Sequence, residues 1–168
     1  MTTTEIKTET KLFMSAEGLL NHWLGHRRLT RRVIEAFPDN KLFDYSSGGM
    51  RPFANMVKEN IDISGPGVRG IATGGWNNTG GFNDHSVEEL KSKAALLKLF
   101  DQGTEEISTY LPTISAKQFQ ETVLAFGMYE GIAFDIILYF IDNEIHHRGQ
   151  GYVYLRAMGI EPPAFWDR

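Results

Sequence analysis

Apolar residues recur at helical spacing in four stretches of this chain. In the first, Leu19, Trp23, His26, Thr30, Val33 and Phe37 share one face; Ser15 is placed to cap its start, and Pro38-Asp39 end it. A second stretch enters at Arg51-Pro52, where proline suits a first helical turn, and runs through Phe53, Met56, Val57 and Ile61. Ser64-Gly65-Pro66-Gly67 should kink or break it before Val68–Ala72 resumes. Gly74 to Asp84 reads as a surface loop. Ser86-Val87-Glu88-Glu89 then has the form of a capping box opening a third helix, with Leu90, Ala94, Leu97, Phe100, Ile107 and Leu111 inward. Gly103 weakens that helix locally, and Pro112 stops it. Residues 113–127 alternate imperfectly and predict an extended connection or a short hairpin arm. The fourth pattern runs from about Gly131 to Leu155 and closes at Met158-Gly159. An all-α four-helix bundle, with a long irregular connection before the last helix, follows from this order.

The fourth stripe is the unusual one. It begins with Ile132, Ile136 and Phe140 and continues on the same face as Asn143, His147, Gln150 and Tyr154. An unpaired buried polar group costs roughly 1–3 kcal/mol. Something inside the fold should therefore meet the two amides and the imidazole, and a metal ion or a bound ligand is a candidate.

Composition narrows the chemistry. With 42% hydrophobic and 23% charged residues over 168, one globular domain covering 1–168 is the simplest organisation, with 1–12 a flexible N-terminal segment. A formal charge of −4 and a pI near 5.7 argue against nucleic-acid binding. The basic run His26, Arg27, Arg28, Arg31 and Arg32 is spread around one helix and reads as a solvated face. The chain has no cysteine, which excludes disulfides, thiolate zinc sites and a cysteine nucleophile. No apolar run resembles a signal peptide or spans a bilayer, so a soluble, cytoplasmic protein with no membrane partner is expected.

Other polar residues read as structural first. His146 lies about 100° from His147 and belongs on the surface. Arg148 should pair with Glu144 or Asp142, or lie at an oligomer face. His26 is expected as a buried, hydrogen-bonded histidine that could also supply a metal ligand or line a pocket; His22 and His85 look peripheral. Trp23, Phe53, Phe100, Phe134, Phe140 and Tyr154 are core packing first and cavity lining second. No phosphate-binding glycine loop and no local serine–histidine–acid arrangement is present.

His146-His147-Arg148-Gly149-Gln150, followed by Tyr152 to Ile160, resembles the last helix of the DinB-like family, the damage-inducible four-helix-bundle metalloproteins. The resemblance extends to the Trp23–Pro38 pattern, the Met50-Arg51-Pro52-Phe53 entry and the Trp76 loop. It implies one divalent metal ion (Zn, Ni, Fe or Mn), held in relatives by three histidines, one on the second helix and two spaced four apart on the last. It also implies a small-molecule substrate, a transferase reaction with a low-molecular-weight thiol cosubstrate, and a homodimer. His147 matches the second histidine of the pair. Asn143 stands where the first is usual, and the match from Met50 puts the helix-2 ligand at Glu59. Such a Glu/Asn/His set favours harder ions such as Mg, Mn or Fe(II). Glu144, Gln150, Tyr154 and His26 are the expected pocket-lining residues. The alternative is a non-catalytic bundle in which Glu59, Asn143 and His147 form a metal-free hydrogen-bonded cluster.

Overall fold

The structure, a computed structural model, describes residues 14–76, 85–90 and 92–168. Four long helices carry it: α1 (Ala16–Ala36), α3 (Phe53–Thr73), α4 (Lys93–Tyr110) and α5 (Ala133–Ala157), with one short turn of helix, α2 (Asp39–Leu42), after the first. Between α4 and α5 the chain makes two 3₁₀ turns, Leu111–Thr113 and Gln118–Gln120. It then forms an antiparallel hairpin of β1 (Thr122–Ala125) and β2 (Tyr129–Ile132), which begins inside the expected connection 113–127 and places its second strand beyond it. The expected flexible segment 1–12, and the part of the expected loop from 77 to 84, lie outside the described residues.

Helix α1 starts where its sequence says. The Ser15 hydroxyl accepts from the Gly18 backbone N–H at 3.0 Å. Its predicted face is fully inward, since Leu19, Trp23, His26, Thr30 and Val33 are all buried. Helix α5 closes as expected too. Gly159 takes a left-handed conformation, φ 75°, and the Ile160 N–H bonds to the Leu155 carbonyl at 2.9 Å.

Three boundaries differ from expectation, the first at α5: Gly131 and Ile132, read as the head of its inward stripe, belong to β2, and Ile132 is exposed. Helix α3 does not break at Ser64–Gly67; it runs unbroken through Pro66. The glycines there serve close packing rather than interruption. A Cβ on Gly65 would lie 3.2 Å from the Gly103 Cα, and one on Gly67 would lie 2.4 Å from the Phe140 ring. Gly103, which weakens α4 in isolation, is thus the point where α4 approaches α3. Helix α4 in turn does not start from Ser86. The Ser86 hydroxyl accepts from Glu88 N–H at 3.3 Å within a turn, while Ser92 caps the helix by accepting from Ala95 N–H at 3.1 Å. Either serine can act as a cap, and the Leu90 N–H bond to the Val87 carbonyl at 2.8 Å commits residues 87–90 to a turn. The inward face is also rotated from the expected one: Leu96 is buried, Leu97 half-buried and Ala94 exposed.

The core has two apolar halves. One, around Trp23, Ile63, Ile107, Phe126 and Phe140, lies at the hairpin end. The other gathers Val33, Phe37, Phe53, Phe100, Tyr154 and Leu155. Buried polar residues separate them, and α5 contributes most. Its Ile137, Ile141, Glu144, Arg148, Gly151 and Leu155 are buried as a second stripe, whereas the predicted one is buried at Phe140, Asn143, His147 and Tyr154 but only partly at Ile136 and Gln150, and Phe134, read as core, is exposed. Arg27 is the largest correction to the reading of the basic run. It is 1% exposed, not on a solvated face. Its guanidinium donates to Phe100 O at 2.8 Å and Thr104 Oγ1 at 2.9 Å, bonds Asn60 Oδ1, and pairs with Glu144 Oε2 at 3.4 Å. Arg31 and Arg32 do face outward, paired with Asp101 and Asp167. No helix among the described residues is long and apolar enough to cross a membrane.

Candidate functional site

Glu59, Asn143 and His147 meet between α3 and α5. The Asn143 amide donates to Glu59 Oε1 at 2.9 Å, and His147 Nε2 lies 3.2 Å from the same oxygen. Asn143 and His147 stand one helical turn apart, so their side chains leave α5 in the same direction. Gln150, three residues on, sets the ring: its Oε1 lies 2.8 Å from His147 Nδ1. A ring that carries a proton on Nε2 donates it to the Glu59 carboxylate, whereas a neutral ring protonated only on Nδ1 would leave Nε2 free to bind a cation. On the other side of Glu59, Arg51 donates to Oε2 at 2.5 Å. The His147 hydrogen bond, then Arg51 and Asn143, hold the Glu59 carboxyl far below the usual carboxylate range against the opposing effect of burial.

Two of these atoms are spaced as ligands of one divalent cation would be. Adjacent ligand atoms at bond lengths of roughly 2.1 Å stand about 3.0–3.4 Å apart, and the Nε2–Oε1 separation of 3.2 Å falls in that interval. A ring whose second nitrogen is tied to a hydrogen-bond acceptor is the arrangement that fixes a metal-binding histidine. Asn143 is 8% exposed, and its Oδ1 has no hydrogen-bond partner among the described residues. Rotating the amide would turn that stranded oxygen toward Glu59, which is tolerable only with a cation between them. No group of three or more His, Cys, Asp or Glu side chains that could hold a metal ion is present among the described residues, so a site with three protein ligands here would need this amide.

Glu59 also lines a cavity of about 490 Å³, a volume suited to a small molecule. Helix α3 contributes Glu59 and Ile63, and His85 adds its ring. From the hairpin come Phe126, Tyr129 and Glu130, and from the start of α5 come Asp135, Tyr139 and Phe140. Phe126 owes its inward position to the turn. Met128 N–H bonds to Ala125 O at 3.0 Å, with Phe126 at φ 56° and Gly127 at φ 73°. Glycine takes that conformation freely; phenylalanine holds it at a cost on the order of 1 kcal/mol, offset by a ring packed against Trp76 and Phe140.

The four residues expected to line a pocket do not line this one. Glu144 faces α1, accepting from Trp23 Nε1 at 3.0 Å and Thr30 Oγ1 at 2.6 Å. Tyr154 is fully buried and donates to the Arg51 carbonyl at 3.0 Å, which fixes the entry to α3. Gln150 orients His147. His26 lies on the α1 side of α5, where its Nδ1 accepts from Arg148 at 2.9 Å. Arg148 correspondingly bonds Thr30 Oγ1 at 3.0 Å and the His26 carbonyl at 3.2 Å, and donates to no carboxylate among the described residues. His85, read as peripheral, borders the cavity and lies 3.0 Å from Asp62 Oδ2. Arg51 and the hairpin residues had no signal in helical periodicity, because each reaches the site from outside a helix.

His26 carries a pH prediction. Burial, followed by the charges of Arg148, His22 and Arg168, lowers its pKa to about 4 from an ordinary 6.5. Between those values the unfolded chain binds a proton that the folded one refuses, so stability falls as pH drops through that window and is flat above it. Glu59, with its lowered pKa, loses its own contribution only below the ordinary carboxyl value of 4.5. Thermal melts from pH 7 to 4.5 should show a decline of several degrees. A His26→Gln variant should flatten it, and an unchanged slope would show that another group titrates.

The profile of the family described as "DinB family" matches residues 9–167 of the sequence. Among solved structures, the fold is similar to a DinB-like protein from Bacillus subtilis, 21% identical, with a TM-score of 0.68 over 89% of this chain and 99% of that one. It is also similar to a DinB-like protein from Bacillus cereus, 14% identical, with a TM-score of 0.67 over 91% of this chain and 99% of that one. At such identities the likeness is one of fold. No curated protein matches the chain.

Proposed function

The chain belongs to the DinB family, and from that premise we propose that it is a divalent-metal-dependent enzyme acting on a small molecule held in the cavity beside Glu59. The reaction class that fits best is group transfer to a low-molecular-weight thiol in the cytoplasm, where such thiols stay reduced. Without a cysteine, the chain needs that nucleophile from a cosubstrate. One observation carries the reading: His147 Nε2 and Glu59 Oε1 lie 3.2 Å apart, the spacing of two ligands on one ion, beside a buried amide oxygen with no hydrogen-bond partner among the described residues. Glu59, Asn143 and His147 would hold the ion. When bound, it would lower the pKa of a thiol or water at the site and favour the anion as nucleophile. Gln150 fixes the imidazole, Arg51 balances the second carboxylate oxygen, and Phe126 and Phe140 keep water from that wall.

Calorimetric titration of tag-free, chelator-treated protein with Mn²⁺, Fe²⁺, Zn²⁺ and Ni²⁺ tests this. Binding near one equivalent with a raised melting temperature is expected. Gln150→Leu should weaken it about 10–100-fold by releasing the ring, and His147→Ala more. No binding of any of these ions below millimolar concentration would overturn the proposal.

A metal-free reading also has an observation in its favour. Arg51 already supplies Glu59 with a cationic partner, so the cluster is paired without an ion. On that reading the bundle binds a ligand without catalysis, and chelators leave its melting temperature unchanged. A homodimer belongs to the proposal as well. Tyr139, Ile145 and Val153 leave apolar surface exposed along α5, and light scattering should give twice the 19.0 kDa chain mass.

A further inference from the structure

We propose that the cavity selects an organic cation: an amine or amidine on a compact hydrocarbon or aromatic body. This rests on the reading of the cavity as the substrate site and adds the substrate's charge to it.

Three carboxylates on three different elements line the space: Glu59 on α3, Glu130 on β2 and Asp135 in the first turn of α5. Among the described residues that line it, none is lysine or arginine. Glu59 is balanced by Arg51 from outside the cavity. Glu130 and Asp135, both exposed, have no ion-pair partner among the described residues, and they border the cavity beside apolar walls. An acid in the first turn of α5 is favoured by the helix dipole, which explains Asp135 by itself. That preference does not explain Glu130, which reaches the same cavity from a strand.

The walls agree with the charge. Tyr139 is 58% exposed and borders the cavity, and the Phe140 ring is buried in its wall. Aromatic faces attract a desolvated ammonium through their quadrupole, and carboxylates over low-dielectric walls concentrate cations. A carboxylate ligand would meet repulsion, and a neutral one would forgo both interactions. An amine at the Glu130–Asp135 side leaves the rest of the molecule to reach Glu59.

The test uses metal-free protein and three probes of similar shape: 2-phenylethylammonium, 2-phenylethanol and 3-phenylpropionate, titrated by ligand-observed NMR. The ammonium should bind at least about ten-fold more tightly than the alcohol, with no detectable binding of the carboxylate. Its advantage should shrink as salt rises from about 20 to about 200 mM. In a Glu130→Gln/Asp135→Asn variant, both exposed positions, the ammonium and alcohol should bind within about two-fold of each other. Equal binding of ammonium and alcohol by the unaltered protein, or a preference that survives in the variant, overturns the inference. Metal titrations keep the two ideas apart. Intact metal binding without amine preference sinks this inference alone, and amine preference without metal binding sinks only the metal reading.

Discussion

Replacing Arg27 with methionine should lower the melting temperature by roughly 10 °C or more. The guanidinium is 1% exposed, lies 3.5 Å over the Phe100 ring, and bonds α3, α4 and α5 at once. Removing one member of a buried ion pair costs about 3–5 kcal/mol, because the other charge stays buried without compensation. At about 2–4 °C per kcal/mol for a chain of this size, the loss is large. The diagnostic comparison is the double variant Arg27→Met/Glu144→Gln. Neutralising Glu144 removes the stranded charge, so the double variant should be more stable than Arg27→Met alone. Recovery stays partial, since Trp23 Nε1, Thr30 Oγ1 and Asn60 still lose good partners. A double variant less stable than the single one would mean that the Arg27 hydrogen bonds, rather than its charge, hold the three helices together.

Two glycine substitutions should move stability in opposite directions. At Gly67 a Cβ would lie 2.4 Å from the Phe140 ring, with Phe126 at 3.4 Å behind it. Gly67→Val therefore forces Phe140 toward the cavity it borders, at a cost of about 3 kcal/mol in overpacking. The melting temperature should fall, and binding of any cavity ligand should weaken with it. Gly149 stands on the exposed side of α5, and a methyl group there would meet nothing within 4 Å. Gly149→Ala should gain up to about 1 kcal/mol from helix propensity alone. If Gly67→Val melts normally, the close approach of α3 and Phe140 is not a constraint on the fold.

The amphipathic periods placed four long helices, and the local signals of Ser15, Gly159 and the hairpin segment marked their positions in the chain. These features were legible because each depends on residues within a turn or two of one another. The starts that misled were locally ambiguous. Ser86 and Ser92 are both competent caps, and only packing around Val87 and Leu90 distinguished them. Ser64–Gly67 looks like a break until α4 and Phe140 are seen to need the missing side chains. The inward orientation of Asn143 and His147 followed from period, and the Glu59 position from resemblance. Their hydrogen bonds to one another came only with the tertiary structure.

Chain-local information therefore determined the helices, their apolar faces and the polar residues embedded in the last of them. Tertiary structure alone decided that Arg27 is buried, that Glu144 turns away from the cavity toward α1, and that Arg51, Glu130 and Asp135 gather around Glu59 and its pocket. The physical reason is the range of each effect. Periodicity and capping act over a few residues, whereas desolvation, ion pairing and cavity shape depend on which distant segments come within about 4 Å of one another.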